Sequence, residues 1–236
     1  MVGGYPVTTP AMQAIVPMGD CTAVLVTPDR LLTSAHCLKP GLEQVTVASR
    51  TFHLTQCDAH PGYRSLQAAH DIAVCHLAAP APVDGIAIDE GAPQMGEPIT
   101  LAGYGLAGAL ARAQSGLRAV DTAVVSLDAQ SFDVGTATQT ACLGDSGGPV
   151  LTQRGGKMRV AGILHGPSGA ICASPTRVTR LDVAGDWLAG ELASTGAANG
   201  SHVAGRLAIV FCVLAAAALM GWIAVRRASR TPPAVT

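Results

Sequence analysis

The run Cys142-Leu143-Gly144-Asp145-Ser146-Gly147-Gly148-Pro149-Val150 sets one serine among glycines. Glycine tolerates backbone angles that other residues resist, so such a serine can sit on a tight turn with its hydroxyl exposed. The N–H groups of that turn can point together and hold a developing negative charge. A serine hydroxyl alone is a weak nucleophile and needs a histidine and a carboxylate beside it. Both lie upstream. Leu32-Thr33-Ser34-Ala35-His36-Cys37 supplies His36, and His70-Asp71-Ile72-Ala73-Val74 supplies Asp71, which gives the chain order His, Asp, Ser.

Gly144 to Gly148 also fits the nucleophile elbow of α/β-hydrolases, but that fold needs its acid and its histidine after the serine. Only His165 and His202 follow Ser146, and His202 falls in a linker-like stretch. The elbow reading fails on order. The three stretches together resemble the trypsin/chymotrypsin-like serine proteases, over roughly residues 1–190. The resemblance implies acyl transfer on a protein or peptide substrate, with no cofactor. His36 takes the proton of Ser146 as it attacks a peptide carbonyl and later gives it to the leaving amine. Asp71 holds the imidazole tautomer, and the N–H groups of Gly144 and Ser146 form the oxyanion hole. The alternative is a catalytically inactive homologue used as a binding module, which a lost triad residue would betray; none is lost.

Further residues take roles from the same resemblance. Met1-Val2-Gly3-Gly4 resembles the mature amino terminus of the family, whose ammonium pairs with the aspartate before the serine, here Asp145. An upstream signal or propeptide segment, and an activating protease, are therefore expected. Six residues before the serine, where trypsins carry an aspartate, stands Thr140, which offers Lys or Arg no counter-ion. Gly162-Ile163-Leu164-His165-Gly166-Pro167 stands where the family commonly has Gly-Ile/Val-Val-Ser-Trp-Gly. With Pro167 and Thr176 in place of pocket glycines, the specificity pocket (Thr140, His165, Pro167, Thr176) is expected to be shallow and to take a small or medium apolar residue. His165 beside Thr140 leaves open a likeness to the glutamate-specific branch.

The elements that must position these residues are short. Apolar runs at Thr22–Val26, 45–47, 72–74, 99–101, 123–125, 149–151 and 160–164 alternate with Gly- and Pro-containing turns, which suggests an all-β barrel or sandwich. The resemblance implies two six-stranded antiparallel barrels with the site between them and a C-terminal helix. The changeover is placed near residues 80–105. Asp182 is a candidate cap of that helix. Gly103-Tyr104-Gly105 resembles the family's Gly-Trp-Gly, and His60-Pro61-Gly62-Tyr63 its His-Pro-x-Tyr, with His60 structural. His53, His70 and His76 are read as strand or surface residues. His70, Cys75 and His76 suggest a metal, but adjacent strand positions face opposite ways, so no metal site is supported.

Hydrophobic residues make up 49% of the chain and charged residues 13%, which argues against wholesale disorder. A net charge of −1 gives no electrostatic reason for a nucleic-acid partner. Six of the seven cysteines fall before residue 190, an even number that suggests disulfides in an oxidising compartment. The resemblance selects Cys21–Cys37 and Cys142–Cys172. Cys57 and Cys75 remain, either bridged on neighbouring strands or buried as free thiols.

After the protease-like region (1–190), residues 191–206 are small and polar, a linker. Asn199-Gly200-Ser201 within it fits a glycosylation pattern read as chance. Leu207 to Val225 is uncharged for 19 residues, about 28 Å as a helix and close to a bilayer core. Trp222 suits the interface, and Arg226, Arg227 and Arg230 follow in a short basic tail (226–236). Positive-inside bias puts this tail in the cytoplasm and residues 1–190 outside, as a single-pass membrane protein. A buried helix and a cleaved sorting tail are the rival readings. Cys212 is read as a small apolar residue of the span.

Overall fold

The computed structural model describes residues 1–65, 67–111 and 116–194. Thirteen strands and one α-helix occupy them. The first sheet contains β2 (Ile15–Met18), β3 (Cys21–Thr27), β4 (Arg30–Thr33), β5 (Gln44–Val47), β6 (Arg50–Ala59) and β7 (Ala73–Leu77). These pair antiparallel in the order β2-β3-β4-β7-β6-β5, and β2 approaches β5 to curl the sheet on itself. The second sheet contains β8 (Pro98–Gly103), β9 (Arg118–Leu127), β10 (Ser131–Val134), β11 (Pro149–Arg154), β12 (Lys157–Pro167) and β13 (Thr176–Arg180). Its order is β9-β10-β13-β12-β11-β8, and β8 pairs back to β9 to close the ring.

Two six-stranded barrels were the expectation, and the second gains a strand. β1 (Tyr5–Pro6) adds to the free side of β9 through Tyr5↔Ala119 and Pro6↔Arg118, so the chain's first residues belong to its second barrel. The changeover between barrels falls between β7 and β8.

Residue pattern accounts for the sheets. β5 alternates exposed and buried positions, the period-two signature of a sheet with one wet face. β4 and β7 are buried at every position and carry the centre of the first barrel. Leu25, Leu31, Leu32 and Ile72 sit in one apolar cluster that continues through Leu151, Ile163 and Leu188. Phe132, Ile99, Leu101, Val124 and Leu164 fill the second barrel. Fully burying a side chain of this size is worth about 1.5–3 kcal/mol, so each barrel is held chiefly from inside.

All three expected disulfides form: Cys21–Cys37, Cys57–Cys75 and Cys142–Cys172. The free-thiol alternative for Cys57 and Cys75 falls, because β6 and β7 put them directly opposite each other.

Helix α1 (Gly185–Ala193) follows β13 after one 3-10 turn, Asp182–Ala184. Asp182 does not cap it. Its carboxylate instead takes two bonds from the Arg180 guanidinium, at 3.0 and 2.6 Å, and Ala184 occupies the cap position without a side-chain bond. The helix also runs to Ala193, three residues into the stretch read as linker. Among the described residues no helix is long and apolar enough to cross a membrane. The expected span Leu207–Val225, the rest of the linker, Asn199, Cys212 and the basic tail lie outside the described residues.

Candidate active site

His36 sits in a 3-10 turn, Ala35–Cys37, at the end of β4, and the Cys21–Cys37 bridge ties this turn to the start of β3. Asp71 enters just before β7 and is fully buried. β4 and β7 pair in register, Thr33 opposite Ala73, which brings the two loops together. The Asp71 carboxylate receives the His36 main-chain N–H at Oδ1 (2.9 Å) and meets His36 Nδ1 at Oδ2 (2.6 Å). A carboxylate at Nδ1 leaves Nε2 of a neutral imidazole free to accept a proton.

Ser146 comes from the second barrel, in the loop before β11. Gly144 and Gly147 in this loop have φ of +92° and +81°, a region that L side chains resist. At Gly147 a Cβ would also lie 2.2 Å from both the Thr22 carbonyl oxygen and Thr33 Oγ1, so only glycine fits where the loop meets the first barrel. The amides of Asp145 and Gly147 are spent on the carbonyls of Cys142 and Leu164. Those of Gly144 and Ser146 have no bond among the described residues. Two unspent N–H groups, one on the serine itself and one two residues before it, are what an oxyanion hole requires.

Two residues that the motifs did not single out join the halves of the cleft. Thr22 of β3 donates its N–H to the Ser146 carbonyl (2.8 Å) and its hydroxyl to the Gly144 carbonyl (2.9 Å), and accepts the Tyr104 N–H (3.0 Å). Ser34 Oγ reaches the Leu164 carbonyl across the barrels (2.9 Å). A small polar residue directly after Cys21 was the only available signal for Thr22, and such residues are common in strands.

Asp145 is fully buried and paired with the Met1 ammonium at 2.8 Å. The ammonium also donates to the Leu106 carbonyl (2.7 Å). Amides of Gly105 (2.7 Å) and Cys142 (2.8 Å) complete the carboxylate's shell. Burial pushes this carboxyl up, while the ammonium and the two amides pull the other way. A Cβ on Gly103 or Gly105 would come within 2.5 Å of the Asp145 side chain, which explains the glycines either side of Tyr104.

His165 lies elsewhere than expected. It does not line the pocket; its ring turns to the triad-like pair, with Nδ1 2.5 Å from Asp71 Oδ2 and the ring edge-on to His36. The cause is a β-bulge. β12 pairs Leu164 with Val178 and then Gly166 with Arg177, so His165 is the extra residue and is re-aimed. Its carbonyl accepts the Ser146 hydroxyl (3.1 Å). One carboxylate oxygen thus faces two imidazoles. Burial would raise the Asp71 pKa, but the bonds from His165 and His36 and the His36 charge outweigh it and hold it at about 2. His36, Asp71 and His165 carry metal-ligand atom types within 4.8 Å of one another, but both Nδ1 atoms are already committed to the carboxylate.

The pocket beside Ser146 is small, about 30 Å³, and apolar, with Leu143, Leu164, Pro167, Ile171 and Thr176 among its walls. Thr176 and Pro167 face each other across β12 and β13. Thr140, expected at the base, is fully buried outside these walls; its hydroxyl meets Thr176 Oγ1 (2.7 Å) and the Ser174 carbonyl (2.6 Å). His60 stacks on His70 and meets Trp187 edge-on.

A family model described as Trypsin matches residues 1–188. The chain belongs to the trypsin family. It is 30% identical to granzyme M of Rattus norvegicus, over 61% of this chain and 67% of that relative. It is 28% identical to brachyurin of Leptuca pugilator, over 71% of this chain and 85% of that relative. Trypsin-family membership and these relatives make the protein a serine endopeptidase.

Proposed function

We propose that His36, Asp71 and Ser146 form the catalytic triad, with the Gly144 and Ser146 amides as oxyanion hole. The observation that carries this reading is the buried Asp71 carboxylate bonded to both the main chain and the ring of His36, across the cleft from a serine whose own amide and that of Gly144 are unspent. The Ser146 hydroxyl now donates to the His165 carbonyl; before attack it must leave that acceptor and pass its proton to His36 Nε2. His36 then protonates the leaving amine, and water repeats the cycle on the acyl-enzyme. Asp71 keeps the imidazole oriented and offsets its positive charge.

Specificity belongs to the same proposal. A cavity near 30 Å³ with apolar walls and an uncharged Thr140 behind it favours a small apolar residue before the scissile bond. His165 is engaged with Asp71, so a glutamate-specific pocket lacks its histidine. The protease is further proposed to be held at a membrane by Leu207–Val225, with residues 1–190 outside the cell, and to be switched on when proteolysis frees the terminus that pairs with Asp145. The uncharged run, its trailing arginines and the buried Met1–Asp145 pair support this.

Fluorophosphonate labelling of the full chain tests the triad. Wild type labels, and Ser146→Ala removes the label and lowers peptide hydrolysis by at least about 10⁴-fold. No label on folded, disulfide-bonded wild type, with or without a freed terminus, would leave the binding-module reading instead. For the pocket, Thr176→Gly removes a wall side chain. It is expected to raise kcat/KM for large apolar residues over alanine; an unchanged preference in a peptide library would refute the assignment.

A further inference from the structure

Away from the cleft, one histidine is buried without a partner. His76 on β7 is 1% exposed, and among the described residues neither of its ring nitrogens has a hydrogen bond. Leaving a buried donor or acceptor unmet is costly, so such a group calls for a ligand, a water or an ion. Its neighbours say which. In the β6–β7 ladder Gln56 lies opposite His76 and Cys57 opposite Cys75, which puts Asp58 on the His76 face as its diagonal neighbour. Helix α1 brings Glu191 to the same place, and ligand atoms of Asp58, His76 and Glu191 all lie within 4.8 Å of one another.

Two carboxylates facing one imidazole repel each other, and a cation lying between them would relieve that repulsion. The cationic side chain opposite His76 has both terminal nitrogens engaged, while its Nε has no partner among the described residues. Arg30, opposite His76 on β4, gives Nη1 to the Asp29 carboxylate (2.6 Å) and Nη2 to the Ser194 carbonyl. Asp58 accepts one bond at Oδ2, from Gln56 Nε2 (2.6 Å), which leaves Oδ1 for a ligand.

We propose that Asp58, His76 and Glu191 form a binding site for a divalent transition-metal ion of the zinc class. One imidazole nitrogen with two carboxylate oxygens is a donor set that zinc accepts, whereas calcium seeks 6–8 oxygens. Zinc bonds of about 2.0–2.1 Å put tetrahedral ligands roughly 3.4 Å apart, so binding draws the three atoms together and leaves a fourth position for water. Glu191 and Asp58 are only partly buried, which gives the ion an entry path. The ion would pin the last turn of α1 to the first barrel.

The test uses the full chain in detergent, stripped with chelator and titrated with zinc by calorimetry and with cobalt by visible absorption. One ion per chain is expected. Glu191→Gln and Asp58→Asn should each weaken zinc by more than the roughly 10–100-fold that loss of an outer-shell partner costs. His165→Ala, which disrupts the His36/Asp71/His165 group, should leave the affinity unchanged. Zinc should also raise the Tm of wild type and not of Glu191→Gln, whose cooperative unfolding shows that it is folded. Absence of saturable binding, binding that survives both carboxylate changes, or binding lost in His165→Ala would each overturn the proposal. None of these readouts depends on the protein being catalytically competent.

Discussion

Asp71 Oδ2 faces two imidazole nitrogens, from His36 at 2.6 Å and His165 at 2.5 Å. A carboxylate with a depressed pKa contributes stability that is fully present above its unfolded value near 3.8 and is lost as pH falls through about 2. Removing one donor raises the folded value, so this carboxylate contributes less stability and its loss is complete at a higher pH. His165→Ala is therefore expected to move the acid-unfolding midpoint upward and to raise the Asp71 carboxyl pKa followed by NMR. An acid limb that superimposes on wild type would show that His165 is a bystander. The proposed triad residues stood out because their flanking motifs are specific. The direction of the His165 ring was not, because strand alternation assigns faces by counting and a bulge adds one to the count.

Between strands, turn chemistry decides how much could be read. Gly155 and Gly156, both with positive φ, join β11 to β12 in the two-residue hairpin that glycine favours. Ala48 and Ser49 join β5 to β6 with φ of +45° and +65°, a conformation that costs an L residue about 1–2 kcal/mol. No turn signal or apolar run marked that hairpin in the sequence, and β6 was expected only through Cys57, as a strand beside that of Cys75. The double change Ala48→Asn, Ser49→Gly supplies the preferred pair. It should stabilise the protein by roughly 1 kcal/mol, read as a higher denaturation midpoint with unchanged m-value. A lower midpoint would mean that Ala48 or Ser49 makes a contact worth more than the strain. Asp182 teaches the same lesson at a helix start: a neighbouring Arg180 took the carboxylate that composition had assigned to the cap.

Across the whole chain, the two-barrel plan followed from the motifs, whereas β1 crossing to the second barrel did not, since a two-residue strand has no periodicity to detect. That crossing carries Met1 to Asp145 at the base of the serine loop. Extending the chain by two residues ahead of Met1 displaces the ammonium and leaves a buried carboxylate unpaired, which costs about 3–5 kcal/mol. The extended protein should lose fluorophosphonate labelling and unfold at lower temperature, and enzymatic removal of the extension should restore both. Full labelling of the extended form would show that the pair is not needed for the oxyanion hole.

The three disulfides have one more consequence. Cys21–Cys37 and Cys57–Cys75 close loops within the first barrel, and Cys142–Cys172 closes one within the second. Among the described residues no disulfide bridges the cleft; the main chain crosses it from β1 to β2 and again in the connection between β7 and β8. A molecule nicked once in that connection would hold its shape through β1, Thr22 and Ser34, yet separate into two pieces in denaturant without any reductant. His36 and Asp71 would leave on one piece and Ser146 on the other, so a single cut there makes the proposed nucleophile and its proposed base parts of a two-chain assembly whose survival depends on dilution.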